Sequence, residues 1–98
     1  MPGSAAKVVI TERQQEVLRK LSTATTVAKR LTQRASVILL AFEGLDNEAI
    51  GQRVSLERHQ VGIWRRRWQN AFAKLIKVEC LEPAATLRKA IEAVLADE

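Results

Sequence analysis

The chain has 98 residues, enough for one domain with a thin core, and its 47% hydrophobic and 28% charged residues are too apolar and too varied for intrinsic disorder. A single Cys excludes an internal disulfide framework, and the longest unbroken apolar run, Val37 to Phe42, is far short of the ~20 residues of a membrane span. The opening MPGSAAKVVI lacks the apolar stretch of a secretory leader, so the expectation is a small, reduced, soluble domain working in the cytoplasm. The net charge of +5 is unevenly spread: residues 58–77 hold six basic and no acidic groups, whereas residues 43–57 and 78–98 are each net acidic. A strongly positive block between acidic ones is where a polyanion site is to be sought.

Residues 1–10 are expected to form a flexible N-terminus, with a single domain over 11–98. Thr11-Glu12-Arg13-Gln14 fits a capping box, a hydroxyl answered by Gln three residues on, and the helix it opens should bury Val17, Leu18 and Leu21. The Ser/Thr-rich stretch 22–26 ends it. A second helix, from about Val27 to Glu43, carries Ala28, Leu31, Ala35, Ile38, Leu39 and Phe42 at three- and four-residue spacing, the period of one buried stripe. Gly44 stands where a left-handed C-cap belongs.

Asp46 is placed to cap a short third helix, with Leu45 and Ile50 spaced as a hydrophobic staple. Ile50 and Val54 should face inward, and Gly51 permits close approach of a neighbouring helix. The pattern breaks at Ser55-Leu56-Glu57. A fourth helix then starts near Arg58 and should bury Val61, Trp64, Trp68, Phe72 and Leu75. After a mobile connection at 78–82, Pro83 opens a fifth helix to about residue 96, with Leu87, Ile91, Val94 and Leu95 inside. No stretch alternates as a strand does. The fold expected is therefore all-α, a helix-turn-helix (homeodomain-like) bundle of four to five helices with the motif at about 46–68 and an additional helix at about 83–96.

The pair of helices around Ser55 is the most informative feature. Two helices that cross steeply through a tight turn need small and apolar residues at fixed offsets, and Ile50, Gly51, Val54, Leu56, Val61 and Trp64 meet those offsets together. Arg65-Arg66-Arg67 follows at once. The run Gly44-Leu45-Asp46-Asn47-Glu48-Ala49-Ile50-Gly51-Gln52-Arg53-Val54, then Arg58, Val61 and Trp64-Arg65-Arg66-Arg67-Trp68, resembles the N-terminal domain of bacterial insertion-sequence transposases of the mariner-like superfamily. Gln33-Arg34-Ala35 leading into Val37–Gly44 is similar to the same family, so the resemblance covers roughly residues 11–77 and extends less securely to 96. It implies binding of an element's terminal inverted repeats in a bacterial cytoplasm, in association with the nucleoid. It implies no catalysis by this chain, because cutting and joining belong in that family to a separate three-carboxylate domain.

The chain departs from the family pattern in three places. Ser55 stands where the turn usually has Gly, so a left-handed backbone there would cost about 1–2 kcal/mol. Glu57 replaces the usual hydroxyl cap of the fourth helix; it suits the helix dipole and would repel a nearby phosphate. Gly62 and Ile63 stand where longer polar or basic residues are common.

A projection at about 100° per residue gathers Val61, Trp64 and Trp68 in one inward stripe of the fourth helix. His59, Gly62, Ile63, Arg66 and Asn70 fall opposite it, with Arg58 and Arg65 on one flank and Arg67 on the other. This is the layout of a helix that reads base edges at its crest and clamps phosphates along its shoulders, with double-stranded DNA as the partner. Arg66 suits guanine, Asn70 adenine and Ile63 a thymine methyl, and Gly62 would let the backbone come close to the groove.

Other chemistries find little in the sequence. Trp64 and Trp68 match the core stripe better than a stacking platform for single strands. One His, His59, and one Cys, Cys80, cannot assemble a zinc set or a nucleophile–base pair, and Cys80 reads as a semi-buried apolar residue. Asp46 and Glu48 are explained as helix-start partners, and the scattered glycines build no phosphate-cradling loop. No cofactor, metal, small-molecule ligand or membrane partner is expected, and no enzymatic activity. Two alternatives stay open: a free-standing helix-turn-helix regulator whose fifth helix makes a homodimer, and a helical protein-interaction module without a DNA role.

Overall fold

The structure, a computed structural model, describes residues 8–81 and 84–96. Five helices follow in order: α1 (Glu12–Thr23), α2 (Lys29–Glu43), α3 (Asn47–Val54), α4 (Arg58–Leu81) and α5 (Ala84–Ala96), with no strand among the described residues. The protein is an all-α bundle. α2 is its centre and packs against each of the other four helices, which explains why its buried residues do not keep to one narrow stripe. Ala35, Val37, Ile38 and Ala41 are buried, while Leu31, Leu39 and Leu40 are half-buried. Ala28 and Phe42, expected inside, lie on the exposed side; Ala28 stands before the helix as its N-cap, and helix starts and edges face solvent here.

The local signals at the helix ends take the forms their residues dictate. At α1 the Thr11 hydroxyl accepts from the Gln14 amide at 3.1 Å, and the Gln14 side chain accepts in turn from the Thr11 amide at 3.1 Å. Gly44 ends α2 at φ 105°, a left-handed conformation that costs a side-chain-bearing residue about 1–2 kcal/mol. Asp46 caps α3 by accepting from the Ala49 amide at 2.8 Å.

Three expectations are corrected. Residues 8–10 are not a flexible end: Val8 and Ile10 are buried, and the Val9 carbonyl accepts from the Trp68 indole at 3.0 Å. Thr11 and Arg13 then tie this segment to the far end of α4, the first through its hydroxyl to the Glu79 carboxylate at 2.7 Å, the second to the Glu79 carbonyl at 2.9 Å. Residues 1–7 lie outside the described residues. The stretch from 78 is likewise no loose connection, since α4 continues to Leu81 with Val78 against the core. Pro83 and residue 82 lie outside the described residues; α5 beyond them buries Leu87, Ile91 and Leu95, with Val94 half-buried. Cys80, expected to be semi-buried, is exposed.

Candidate nucleic-acid interface

The three-residue turn between α3 and α4 sets how the two helices meet. Gly51 is buried, and a Cβ on it would fall on the Leu56 carbonyl oxygen, so only glycine lets the turn fold back this tightly. The Gly51 carbonyl accepts from the Ser55 amide and from the Leu56 amide, the latter at 3.0 Å. Those two bonds close the end of α3 while Ser55 sits at φ 63°, ψ 45°. The left-handed cost foreseen for a serine here is therefore carried by this chain. Across the turn the Glu57 carbonyl accepts from the Val61 amide at 3.1 Å and begins α4.

Two long polar side chains from outside α3 hold its ends. Gln33 on α2 donates to the Val54 carbonyl, one of the last carbonyls of α3 and without a partner inside the helix. Arg65 on α4 donates to the Leu45 carbonyl, just before α3, at 3.2 Å. Arg65 is only 6% exposed. Burial pushes its guanidinium below the ordinary arginine value, and the Asp46 carboxylate partly offsets that push.

The inward stripe of α4 agrees with the projection. Val61, Trp64, Trp68 and Leu75 are buried and Phe72 is half-buried. Trp64 is gripped by two cations, with the Arg34 guanidinium 4.0 Å and the Arg67 guanidinium 4.8 Å from its ring centre. Arg34 also donates to the Leu95 carbonyl at 2.7 Å, so one side chain joins α2, α4 and the C-terminal end of α5, where the helix dipole favours a cation.

The eight residues expected at the interface therefore divide. Arg58, His59, Arg66 and Asn70 are exposed on α4, and Ile63 is half-buried beside them. His59, Arg66 and Asn70 lie within an arc of about 40° and span about 16 Å of helix. Two positions are corrected. Arg65 is not a phosphate-clamping shoulder, because its guanidinium is used inside the protein. Arg67 is half-buried on its flank, with its guanidinium over the Trp64 ring. Gly62 does not open the groove side: a Cβ there would meet the Asn47 side-chain nitrogen at 3.3 Å, so its smallness admits α3 instead.

Two cations of the same face were missed. Lys74 and Lys77 are exposed further along α4, and Lys77 repeats the phase of Asn70 seven residues on, a period legible from sequence. Near the other end of the face, Glu48, Gln52, Glu57, Arg58 and His59 line a shallow open depression where α3 meets the start of α4. No three His, Cys, Asp or Glu side chains gather into a metal-holding group among the described residues, and no helix among them is long and apolar enough to cross a membrane. No protein-family model, curated protein or solved structure matches this chain.

Proposed function

We propose that this protein binds double-stranded DNA by laying the exposed face of α4 in a major groove. The observation that carries the reading is the one-sided charge of α4: Arg58, Arg66, Lys74 and Lys77 point outward, no acidic residue occurs from 58 to 77, and the helix is held from behind by a tightly closed turn. Arg66 and Asn70 are the base-reading side chains, one suited to guanine and the other to adenine, with His59 and Ile63 beside them. The lysines supply phosphate contacts. The similarity to insertion-sequence transposases over residues 11–77 supports the narrower reading that the duplex is an element's terminal repeat, in a bacterial cytoplasm, with catalysis belonging to another domain.

The test is fluorescence anisotropy of a labelled duplex across a salt series. Binding should weaken with salt, with a logarithmic slope of about −3 if Arg58, Lys74 and Lys77 engage phosphates while Arg66 reads a base. Absence of binding to any duplex at low salt removes the reading and leaves a protein-interaction module in its place.

A further inference from the structure

We infer that Lys29 and Arg30 of α2 grip the phosphate backbone of the same duplex whose groove α4 occupies; the inference rests on the DNA-binding reading above. The basic block on α4 has a counterpart earlier in the chain. Residues 17–42 hold Arg19, Lys20, Lys29, Arg30 and Arg34 and no acidic residue. Arg34 is committed inside the fold, to the Trp64 ring and the Leu95 carbonyl. Lys29 and Arg30 are exposed and have no ion pair or side-chain hydrogen bond among the described residues. They are also the first two residues of α2, where the helix dipole disfavours cations, and that first turn holds no acid to offset them. Charges kept where they cost local stability point to a use outside the fold.

Their position supplies that use. Gln33 bonds the Val54 carbonyl at the end of α3, so the first turns of α2 lie beside the turn that leads into α4. Lys29, four residues before Gln33, is about 6 Å nearer the start of α2 and about 40° around it, and Arg30 lies about 60° to the other side. Both therefore extend past the last residue of α3, toward the turn at 55–57 from which α4 begins with exposed Arg58 and His59. Three cations, Lys29, Arg30 and Arg58, border this turn, against Glu57 within it and Glu48 on the depression beyond. A helix seated in a major groove about 12 Å wide has a phosphate ridge on either side, within reach of long side chains presented beside the helix. α4 reads the groove floor and α2 holds the adjoining ridge.

Each phosphate neutralised adds about 0.9 to the logarithmic salt slope, so wild type should show about −4.5, against about −3 for the phosphate-binding cations of α4 alone. Anisotropy titrations on a selected and a scrambled duplex compare wild type, the double variant Lys29→Gln/Arg30→Gln, and Lys20→Gln. Lys20 is the control, since it lines a groove between α1 and α5 with Ala85 and Arg88. The double variant should flatten the slope to about −3 on both duplexes and keep the wild-type preference for the selected one. Ethylation interference should lose one patch of phosphates beside the bases read by Arg66 and Asn70. Lys20→Gln should change neither readout. The urea midpoint of the double variant should not fall, because two cations leave the positive end of a helix dipole. An unchanged slope and interference pattern, an equal flattening per charge in Lys20→Gln, or a lowered midpoint overturns the inference and leaves the DNA reading standing. Absence of wild-type binding to any duplex at low salt overturns both.

Discussion

Arg65 and Arg66 are neighbours in the chain and about 100° apart around α4. The first is buried, with its guanidinium on the Leu45 carbonyl; the second projects into solvent and has no partner among the described residues. Arg67, the next in line, leans over the Trp64 ring. A run of three like charges thus divides into a strut between α4 and the approach to α3, a side chain free for a ligand, and a cover for the core. The basic block of the sequence is not one electrostatic surface. Part of its charge is spent inside the fold, and only the outward part is available to attract a polyanion.

The contrast between the inner and outer sides of α4 can be broken most severely from the inside. Trp64→Ala should destabilise by about 3–5 kcal/mol, because it removes a buried aromatic and strips Arg34 and Arg67 of the ring beneath them. For so small a core this should abolish a cooperative urea transition, and a Trp64→Ala protein that still unfolds cooperatively near the wild-type midpoint would show the ring is not part of the core.

Arg65→Ala should cost about 1–3 kcal/mol in the same urea titration, since the Leu45 carbonyl loses its donor and the space of a buried side chain is vacated. Arg66→Ala, on the solvent side, should stay within about 0.5 kcal/mol of wild type. Equal losses from the two would erase the distinction drawn between them. Gly51→Ala should destabilise by about 1–3 kcal/mol through overpacking against the Leu56 carbonyl, read as a lowered midpoint and, in duplex binding, as weaker affinity for every sequence. The smallest effect runs the other way: Ser55→Gly should raise the thermal midpoint, by up to about 1–2 kcal/mol of relieved left-handed backbone cost, with glycine's greater unfolded freedom subtracting from it.

How far this architecture can be read in the sequence depends on what each signal reports. The five helices, the caps at Thr11, Gly44 and Asp46, and the Trp64–Trp68 stripe follow from periodicity and from side chains that bond their own backbone, so local sequence is enough. Val8 and Ile10 were not legible because three apolar residues ahead of a helix cap have no helical period, and their burial depends on the Trp68 indole being within reach of the Val9 carbonyl. The axial spread of α2's burial could not be read either, because a helix surrounded by four others has no single core side. At the candidate site, periodicity found the outward positions of His59, Arg66 and Asn70. It misplaced Arg65, whose acceptor is a backbone carbonyl twenty residues earlier, and Gly62, whose neighbour Asn47 comes from another helix.

The outward-face account meets its most direct test in one paired binding measurement. Wild type, Arg65→Ala and Arg66→Ala are titrated onto a selected duplex and a scrambled one across a salt series, at a temperature where all three are folded. Arg66→Ala should lose about 1–3 kcal/mol on the selected duplex and much of the preference for it over the scrambled one. Arg65→Ala should keep both that preference and the wild-type salt slope, because its guanidinium never meets a phosphate. A salt slope flattened by about one unit in Arg65→Ala, with Arg66→Ala still discriminating as wild type does, would contradict the account.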